Sequence, residues 1–240
     1  MKKIQMVDLQ SQYYKIKADV DNAVLNVLDS AAFINGPEVK SFQTELEQYL
    51  DVKHVIPCAN GTDALQIALM ALDLKEGDEV ITADFTFAAT VEVIHLLKLK
   101  SVLVDVDYDT FTMDTDKLKV AITPKTKAII PVHLFGQCAN MEEILKVAKD
   151  HNLHVIEDNA QAIGADFTFS DGSVKKSGTM GILGTTSFFP SKNLGCYGDG
   201  GAIFSNDDEL AHKIRGIVNH GMYERYYHDE VGVNSRLDSI

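Results

Sequence analysis

The sequence has few cysteines, no excess of positive charge and no long apolar segment, and each of these absences excludes a class of protein. The three cysteines, Cys58, Cys138 and Cys196, are odd in number and lack C-x-x-C spacing, which is typical of reduced thiols rather than of disulfides or a metal site. The formal charge of −13 disfavours binding to a nucleic-acid backbone. No apolar run reaches the roughly 20 residues that a membrane span requires. We therefore expect a soluble cytoplasmic protein that binds neither nucleic acid nor a membrane.

Short β-branched runs alternate with longer helical segments along the chain. Strands are predicted at 54–59, 79–84, 101–107, 127–132, 154–159, 185–190 and 201–206. Helices are predicted at 11–29, 37–50, 62–74, 86–98 and 139–151. This alternation favours an α/β fold with a mainly parallel seven-stranded sheet and helices on both faces. Only about ten residues separate the last two strands, too few for a crossover helix, so we expect one antiparallel strand there.

The segment "CANGTDALQIAL" links a predicted strand to a predicted helix through Asn60 and Gly61. Backbone N–H groups of Gly61, Thr62 and Asp63 would point out of the start of this helix and could bind a phosphate. The alternative is that Thr62 only caps a buried helix, an arrangement that this segment alone does not exclude.

The segment "VIEDNAQAIGA" is an apolar strand that ends in polar residues, among them Glu157, Asp158, Asn159 and Gln161. Ligands of open α/β sheets bind beyond the carboxyl ends of the strands, so these side chains are candidates for a site. A carboxylate here could pair with a cationic ring nitrogen and keep it protonated, as an electron-sink cofactor requires. The alternative is a carboxylate that caps a loop.

Lys192 lies in "TTSFFPSKNLGCYGDGGAIFSN", between an aromatic strand and a glycine-rich turn. A lysine that is partly withdrawn from water loses its proton more readily, and only the neutral amine forms a Schiff base with an aldehyde. Ser187, five residues upstream, could offer its hydroxyl to the same phosphate. The alternative for any single lysine is a solvated surface position.

Phe85 and Phe87 in "DFTFAATVEVI" follow the second predicted strand, and either ring could lie over a planar cofactor. The alternative for each is packing in the core. Taken together, the four segments supply a phosphate cradle, a ring platform, a carboxylate for a ring nitrogen and a Schiff-base amine. This set matches the chemistry of pyridoxal 5'-phosphate (PLP).

Four segments resemble the DegT/DnrJ/EryC1/StrS family of PLP-dependent sugar aminotransferases. They are "GTDAL", "EDNAQAIGA", "SFFPSKNLGCYGDGGAIFSNDDELA" and "VGVNSRLD". The resemblance runs from near the amino terminus to the last residue. It implies the aspartate aminotransferase fold, which is PLP fold type I.

The resemblance also implies a role for each candidate residue. Lys192 would form the Schiff base and act as general base and acid, Asp158 would pair with the pyridinium nitrogen, and Gln161 would contact the ring hydroxyl. The other cofactor contacts that the family implies are Gly61, Thr62 and Ser187 on the phosphate and Phe87 on the ring face.

The family also places an asparagine of the neighbouring subunit on the phosphate, which matches Asn234 and implies a homodimer with shared active sites. Arg236 is then a candidate for anionic groups of the substrate, because a planar guanidinium suits a carboxylate or phosphate. The alternative for Arg236 is a surface ion pair. The amino donor implied is glutamate. The acceptor implied is a nucleotide-linked keto sugar, a UDP-3-keto sugar acid, in surface polysaccharide or O-antigen biosynthesis.

Members of this family normally continue through a long helix into a smaller carboxyl-terminal domain, and no such segment follows residue 240. We therefore expect residues 1–240 to form a PLP-binding large domain with N-terminal helices, with the small domain absent. A second hypothesis is a non-catalytic cofactor-binding or assembly module. The presence of Lys192 argues against the dehydratase-type members, which replace this lysine.

Several other motifs carry weaker signals. The glycines of "GCYGDGG" do not match the dinucleotide fingerprint, and the motif leads into a strand rather than a helix. His220 and His228 lack a third ligand, so no metal is expected. His133 either lines the pocket or lies hydrogen-bonded in the core. The acidic segments "NDDE" and "DVDYD" fit helix starts and turns.

Overall fold

The computed structural model describes residues 4–240, which form seven α-helices and eleven strands. The helices are α1 (Leu9–Ser30), α2 (Pro37–Leu50), α3 (Gly61–Ala71), α4 (Ala88–Leu96), α5 (Thr115–Ala121), α6 (Met141–His151) and α7 (Asp208–Ile217). The strands are β1 (His54–Cys58), β2 (Glu79–Ala83), β3 (Lys100–Val104), β4 (Thr126–Ile130), β5 (His154–Asp158), β6 (Asp166–Thr168), β7 (Val174–Lys176), β8 (Leu183–Ser187), β9 (Gly201–Ser205), β10 (Met222–Glu224) and β11 (Tyr227–His228). A short 3₁₀ turn spans Leu134–Gly136.

Seven of these strands form one sheet in the order β1-β9-β8-β5-β4-β2-β3. Strand β9 is antiparallel to both of its neighbours, β1 and β8, while the other six strands share one direction. All seven predicted strands and the antiparallel placement of the last one are confirmed. The remaining strands form two small antiparallel hairpins, β6-β7 and β10-β11, which were not predicted.

Helices cover both faces of the sheet, as predicted. Successive residues of a strand point to opposite faces, so both faces carry apolar side chains that a helix can bury. Helices α3, α4 and α7 pack on one face, where Ile156 and Ile203 belong to their core cluster. On the opposite face, α5 and α6 pack around Val155, and α2 packs around Phe204. The central strands are apolar on both faces, so helices pack against the sheet from both sides.

The five predicted helices are confirmed, and the structure adds α5 and α7. Helix α7 begins within "NDDE", where the side chain of Asp207 accepts hydrogen bonds from the N–H groups of Glu209 and Leu210. This N-cap confirms that the acidic segment starts a helix. Within residues 4–240, no helix is both long and apolar enough to cross a membrane.

Candidate active site

A cavity of about 690 Å³ opens where several parallel strands end. Its walls include the segments that follow the carboxyl ends of β1, β2, β4, β5 and β8, which is where ligands of such sheets bind. Seven of the predicted site residues line this cavity: Gly61, Thr62, Phe87, Asp158, Gln161, Ser187 and Lys192. The other two, Asn234 and Arg236, do not line it. The fold therefore brings together residues that lie up to 131 positions apart, from Gly61 to Lys192 (192 − 61).

The start of α3 forms one wall of the cavity. Helix α3 begins at Gly61, and the Asn60 side chain caps it by accepting a 2.8 Å hydrogen bond from the N–H of Asp63. Two expectations are thereby corrected: the cap is Asn60 rather than Thr62, and the amide of Asp63 is taken by that cap. The N–H groups of Gly61 and Thr62 donate to no acceptor among the described residues, so they are available to an anion.

The end of β8 lies directly against this helix start. A Cβ atom added to Gly61 would lie 2.6 Å from the Cβ of Ser187, so no larger side chain fits between them. The Ser187 oxygen accepts a 3.2 Å hydrogen bond from the N–H of Phe189, which leaves the Ser187 hydroxyl proton for another acceptor. Two backbone amides and one hydroxyl thus converge, and this donor set fits a phosphate.

Asp158 is the last residue of β5 and is 5% exposed. Its Oδ2 accepts a 2.7 Å hydrogen bond from the hydroxyl of Thr90, and its Oδ1 accepts a 3.2 Å hydrogen bond from the N–H of Ala160. Both carboxylate oxygens are therefore held from the protein side, while the carboxylate still borders the cavity.

Glu157 precedes Asp158 on β5 and points to the opposite face of the sheet. It is fully buried, and it accepts hydrogen bonds of 2.6–2.8 Å from three backbone amides and from Nε2 of His133. The other ring nitrogen of His133 accepts from the N–H of Ala139 at 3.1 Å, so the ring proton is on Nε2. His133 is thus a hydrogen-bonded core residue, which decides between the two readings that the sequence allowed.

Phe87 and Gln161 border the cavity from two different loops. Phe87 stands at the N-cap of α4 and is 70% exposed, so its ring is available to a ligand. Phe85 does not line the cavity, and its ring packs 5.9 Å from that of Phe111, which resolves the choice between the two phenylalanines. The side-chain carbonyl of Gln161 accepts a 2.9 Å hydrogen bond from the N–H of Phe135, which leaves its amide donors free to meet a ligand.

Lys192 is half-buried in the turn that follows β8. The turn is held by a 2.8 Å hydrogen bond from the backbone N–H of Lys192 to the carbonyl of Phe189. Three carboxylates, Asp63, Asp158 and Asp199, also line the cavity, but among residues 4–240 the Lys192 ammonium forms no ion pair. The amine is therefore free for chemistry in the cavity.

Asn234 and Arg236 lie in the segment near the end of the chain, outside the cavity. Asn234 is exposed and forms an isolated bridge with Asn219. Nη1 of Arg236 donates a 3.3 Å hydrogen bond to Oδ1 of Asn219 rather than forming the surface ion pair that was the alternative. Between them Ser235 is fully buried and contacts the start of α3, a contact that the sequence did not suggest.

The hydrogen bond from Thr90 to Asp158 is another contact that the sequence did not suggest. The spacing of Thr86 and Thr90 is the one available signal, because residues four apart lie on the same side of a helix. No group of three or more histidine, cysteine, aspartate or glutamate side chains suited to a metal is found in the part of the chain that the structure describes.

Comparisons with known proteins agree with this geometry. The profile of the DegT/DnrJ/EryC1/StrS aminotransferase family matches residues 14–240. The UDP-2-acetamido-2-deoxy-3-oxo-D-glucuronate aminotransferase of Pseudomonas aeruginosa is 50% identical over 237 residues, which cover 99% of this chain and 65% of that relative. A protein of Geobacillus stearothermophilus named pleiotropic regulatory protein is 49% identical over 237 residues, which cover 99% of this chain and 62% of that relative.

A solved structure shows the same fold. A crystal structure of a DegT DnrJ EryC1 StrS aminotransferase from Brucella abortus superposes with a TM-score of 0.94 at 42% identity, covering 99% of this chain and 64% of that one. The expected fold, PLP fold type I, is thereby confirmed. The chain spans 65% and 62% of the length of the two curated relatives.

Proposed function

This chain belongs to the DegT/DnrJ/EryC1/StrS aminotransferase family, and we propose that it transfers an amino group from glutamate to a nucleotide-linked keto sugar, with PLP as cofactor. The aminotransferases of this family depend on PLP. The observation that carries the proposal is the convergence of the Lys192 amine, the Asp158 carboxylate and the anion cradle at Gly61 in one cavity. Residues 1–240 would then be the cofactor-binding large domain.

The residues present fit the cofactor at each of its functional groups. The amides of Gly61 and Thr62 and the hydroxyl of Ser187 suit a phosphate, and the positive end of α3 adds to that attraction. The exposed ring of Phe87 suits the face of a pyridine ring. When bound, PLP supplies an electrophilic aldehyde and an electron sink for charge that develops on the substrate carbon.

The chain's own residues would perform three tasks. The amine of Lys192 would condense with the aldehyde with loss of water, and once the amino group of the substrate displaced it, it would move a proton between the substrate carbon and the cofactor carbon. The carboxylate of Asp158 would hold the ring nitrogen in its protonated form, since an adjacent negative charge favours the cation. The free amide of Gln161 would orient the ring by donating to its hydroxyl.

The relative from Pseudomonas aeruginosa supports a more specific acceptor. Its name specifies a UDP-linked 3-oxo sugar acid, and at 50% identity we propose the same substrate class here, in the synthesis of a surface polysaccharide such as O-antigen. The three free thiols, Cys58, Cys138 and Cys196, support a site of action in the reducing cytoplasm.

A two-stage spectroscopic assay tests the proposal. The purified chain is saturated with PLP, and its visible absorbance is followed on adding glutamate and then the keto sugar. We expect glutamate to convert the bound cofactor to its amino form and the sugar to reverse the change. Lys192→Ala is the matched control and should show neither conversion. A Lys192-dependent PLP band that glutamate leaves unchanged would contradict the amino-transfer activity and favour the non-catalytic cofactor-binding module instead.

We further propose that the active site is shared between two subunits of a homodimer. The support is that Asn234 is exposed and stands outside the cavity of its own chain, so its side chain is available to a second copy. Mixing Lys192→Ala and Asn234→Ala subunits tests this directly. In a shared arrangement the mixed dimer contains one site with neither defect, so cofactor binding and activity should return. Absence of any recovery in verified mixed dimers would contradict sharing.

A further inference from the structure

We infer that Thr90 is a positioning residue that sets the orientation of the Asp158 carboxylate toward the cofactor ring nitrogen, and that Thr86 extends this arrangement to the cavity wall. The inference rests on the proposed function, because it assigns Thr90 a role through the contact between Asp158 and the ring nitrogen. Neither threonine belongs to the residues that the sequence motifs singled out.

The contact joins two separate elements of the fold. Thr90 lies in the first turn of α4 and is fully buried, and its hydroxyl donates a 2.7 Å hydrogen bond to Oδ2 of Asp158, 68 residues further along the chain. Oδ1 is held by the N–H of Ala160 at 3.2 Å. Because the two donors hold different oxygens of the carboxylate, together they restrict its rotation.

The direction of each hydrogen bond follows from the chemistry of the groups. Thr90 has a single hydroxyl proton, which it donates to Oδ2 of Asp158. The 2.9 Å contact between the Thr86 and Thr90 oxygens must then have Thr86 as its donor. The order is therefore Thr86 to Thr90 to Asp158, and successive hydrogen bonds of this kind strengthen one another.

The same turn also carries the ring platform. The N–H of Thr90 donates a 3.2 Å hydrogen bond to the carbonyl of Phe87, and both Thr86 and Phe87 line the cavity. A shift of this turn would move the ring platform and the carboxylate anchor together. The first turn of α4 thus sets the position of a cofactor ring relative to Asp158.

The control for a purely structural role is Thr82. It is also a fully buried threonine with a satisfied hydroxyl, which donates a 2.8 Å hydrogen bond to the carbonyl of Ile130. It belongs to β2, and its hydroxyl is not among the hydrogen-bond partners of Asp158, which are Thr90 and Ala160. Replacing either threonine with valine keeps the shape of the side chain and removes the hydroxyl.

The test compares dissociation constants for PLP and for 1-deaza-PLP, which has carbon in place of the ring nitrogen, in equilibrium dialysis of the whole chain. The wild-type protein should bind PLP more tightly than the analogue, because only PLP pairs with Asp158. Thr90→Val should weaken PLP binding about tenfold and leave binding of the analogue within about twofold, since one hydrogen bond to a charged group is lost. The preference is the dissociation constant for the analogue divided by that for PLP. Thr90→Ser should keep the wild-type preference, and Thr82→Val should leave it unchanged. Thr86→Val should reduce it about threefold.

The possible results distinguish a failure of the Asp158 pairing from a failure of the role of Thr90. Equal binding of PLP and the analogue by the wild-type protein would refute the pairing of Asp158 with the ring nitrogen and the inference with it. A wild-type preference that Thr90→Val leaves intact, or a loss that affects both ligands equally, would overturn the role of Thr90 alone. If circular dichroism shows that Thr90→Val does not fold, Thr90→Ala replaces it, and the same loss of preference for PLP over the analogue is expected.

Discussion

The hydroxyl of Ser235 donates a 2.7 Å hydrogen bond to Oδ2 of Asp63, although the two residues lie 172 positions apart in the chain. The same oxygen accepts a 3.0 Å hydrogen bond from the N–H of Ala59. Ser235 is fully buried and lies between Asn234 and Arg236, the two candidates that stand outside the cavity. The segment that presents these two side chains is therefore tied to the start of α3, where the phosphate cradle begins.

Ser235→Ala should destabilise the protein by about 1–3 kcal/mol, because it leaves a backbone amide and a carboxylate oxygen without their buried partner. The free energy of unfolding in urea measures the effect. Ser173→Ala removes a hydroxyl that contacts Asp171 on an exposed turn and should change stability by less than about 0.5 kcal/mol. Equal stability of the two variants would contradict a structural role for Ser235.

Gly61→Ala should lower both stability and PLP affinity, because its Cβ would lie 2.6 Å from the Cβ of Ser187. Such overpacking costs about 1–3 kcal/mol and moves the helix start away from the end of β8. Gly198→Ala is the matched control, since nothing lies within 4 Å of an added Cβ there.

The double variant Gly61→Ala/Ser187→Gly separates the two effects of that substitution. It removes the Cβ and hydroxyl of Ser187 and leaves the Cα at 3.2 Å from the added Cβ, so most of the lost stability should recover, while PLP affinity stays low because the hydroxyl is lost. Wild-type PLP affinity in Gly61→Ala would show that the cradle is not where the phosphate binds.

The pattern of strands and the residues at their ends could be predicted from the sequence, because a buried β-branched run followed by polar residues is a local signal. Asp158 lies at a strand end as predicted, whereas the strand predicted at 185–190 ends in the structure at Ser187, three residues earlier. The helix start at Gly61 was predicted one residue late, since asparagine and threonine both suit the N-cap.

Contacts between distant segments could not be predicted. Thr90 and Ser235 are ordinary residues in their local sequence, and their partners lie 68 and 172 positions away. The residues alone left Phe85 and Phe87 open and the family resemblance pointed to Phe87, while the packing of Phe85 against Phe111 joins two segments of the fold. Tertiary packing decides these contacts, and one sequence does not show it.

The stability contributed by Glu79 should depend on pH. This carboxyl is 4% exposed, and its pKa lies below the ordinary value of 4.5 because Lys100 donates to Oε1 at 2.9 Å and Thr123 donates to Oε2. Since the pKa is lower in the folded state, the stabilisation is complete above about pH 4.5 and is lost as the pH falls through the folded-state value.

The variant Glu79→Gln checks this dependence. It should be less stable than the wild-type protein by about 1 kcal/mol at pH 7, and the difference should shrink as the pH falls below about 4.5. Glu76→Gln is the control, because Glu76 is exposed and its ion pair with Lys98 is 3.7 Å long. A stability difference for Glu79→Gln that stays constant down to pH 3 would argue against this assignment.

The three cysteines should react with a thiol reagent in a fixed order. Burial raises the pKa of the Cys58 thiol, and burial together with Glu157 and Asp166 raises the pKa of Cys138 to about 11. At pH 8 only about one Cys138 in a thousand is then a thiolate, and the thiolate is the reactive form. Cys196 is partly exposed, so we expect it to be alkylated first and Cys58 last.

Mass spectrometry of the native protein after brief alkylation gives this order, and alkylation in urea, where all three should react alike, is the control. Labelling of Cys58 in the native protein as fast as that of Cys196 would mean that β1 and its surroundings open readily.

Lys192 is the residue to which we propose that PLP bonds. Reduction of the PLP-saturated chain with borohydride fixes a Schiff base as a stable secondary amine, and peptide mapping by mass spectrometry then locates it. We expect one pyridoxyl adduct, on the peptide that contains Lys192, and none in a folded Lys192→Ala variant. An adduct on a different lysine, or an unchanged yield in Lys192→Ala, would contradict it.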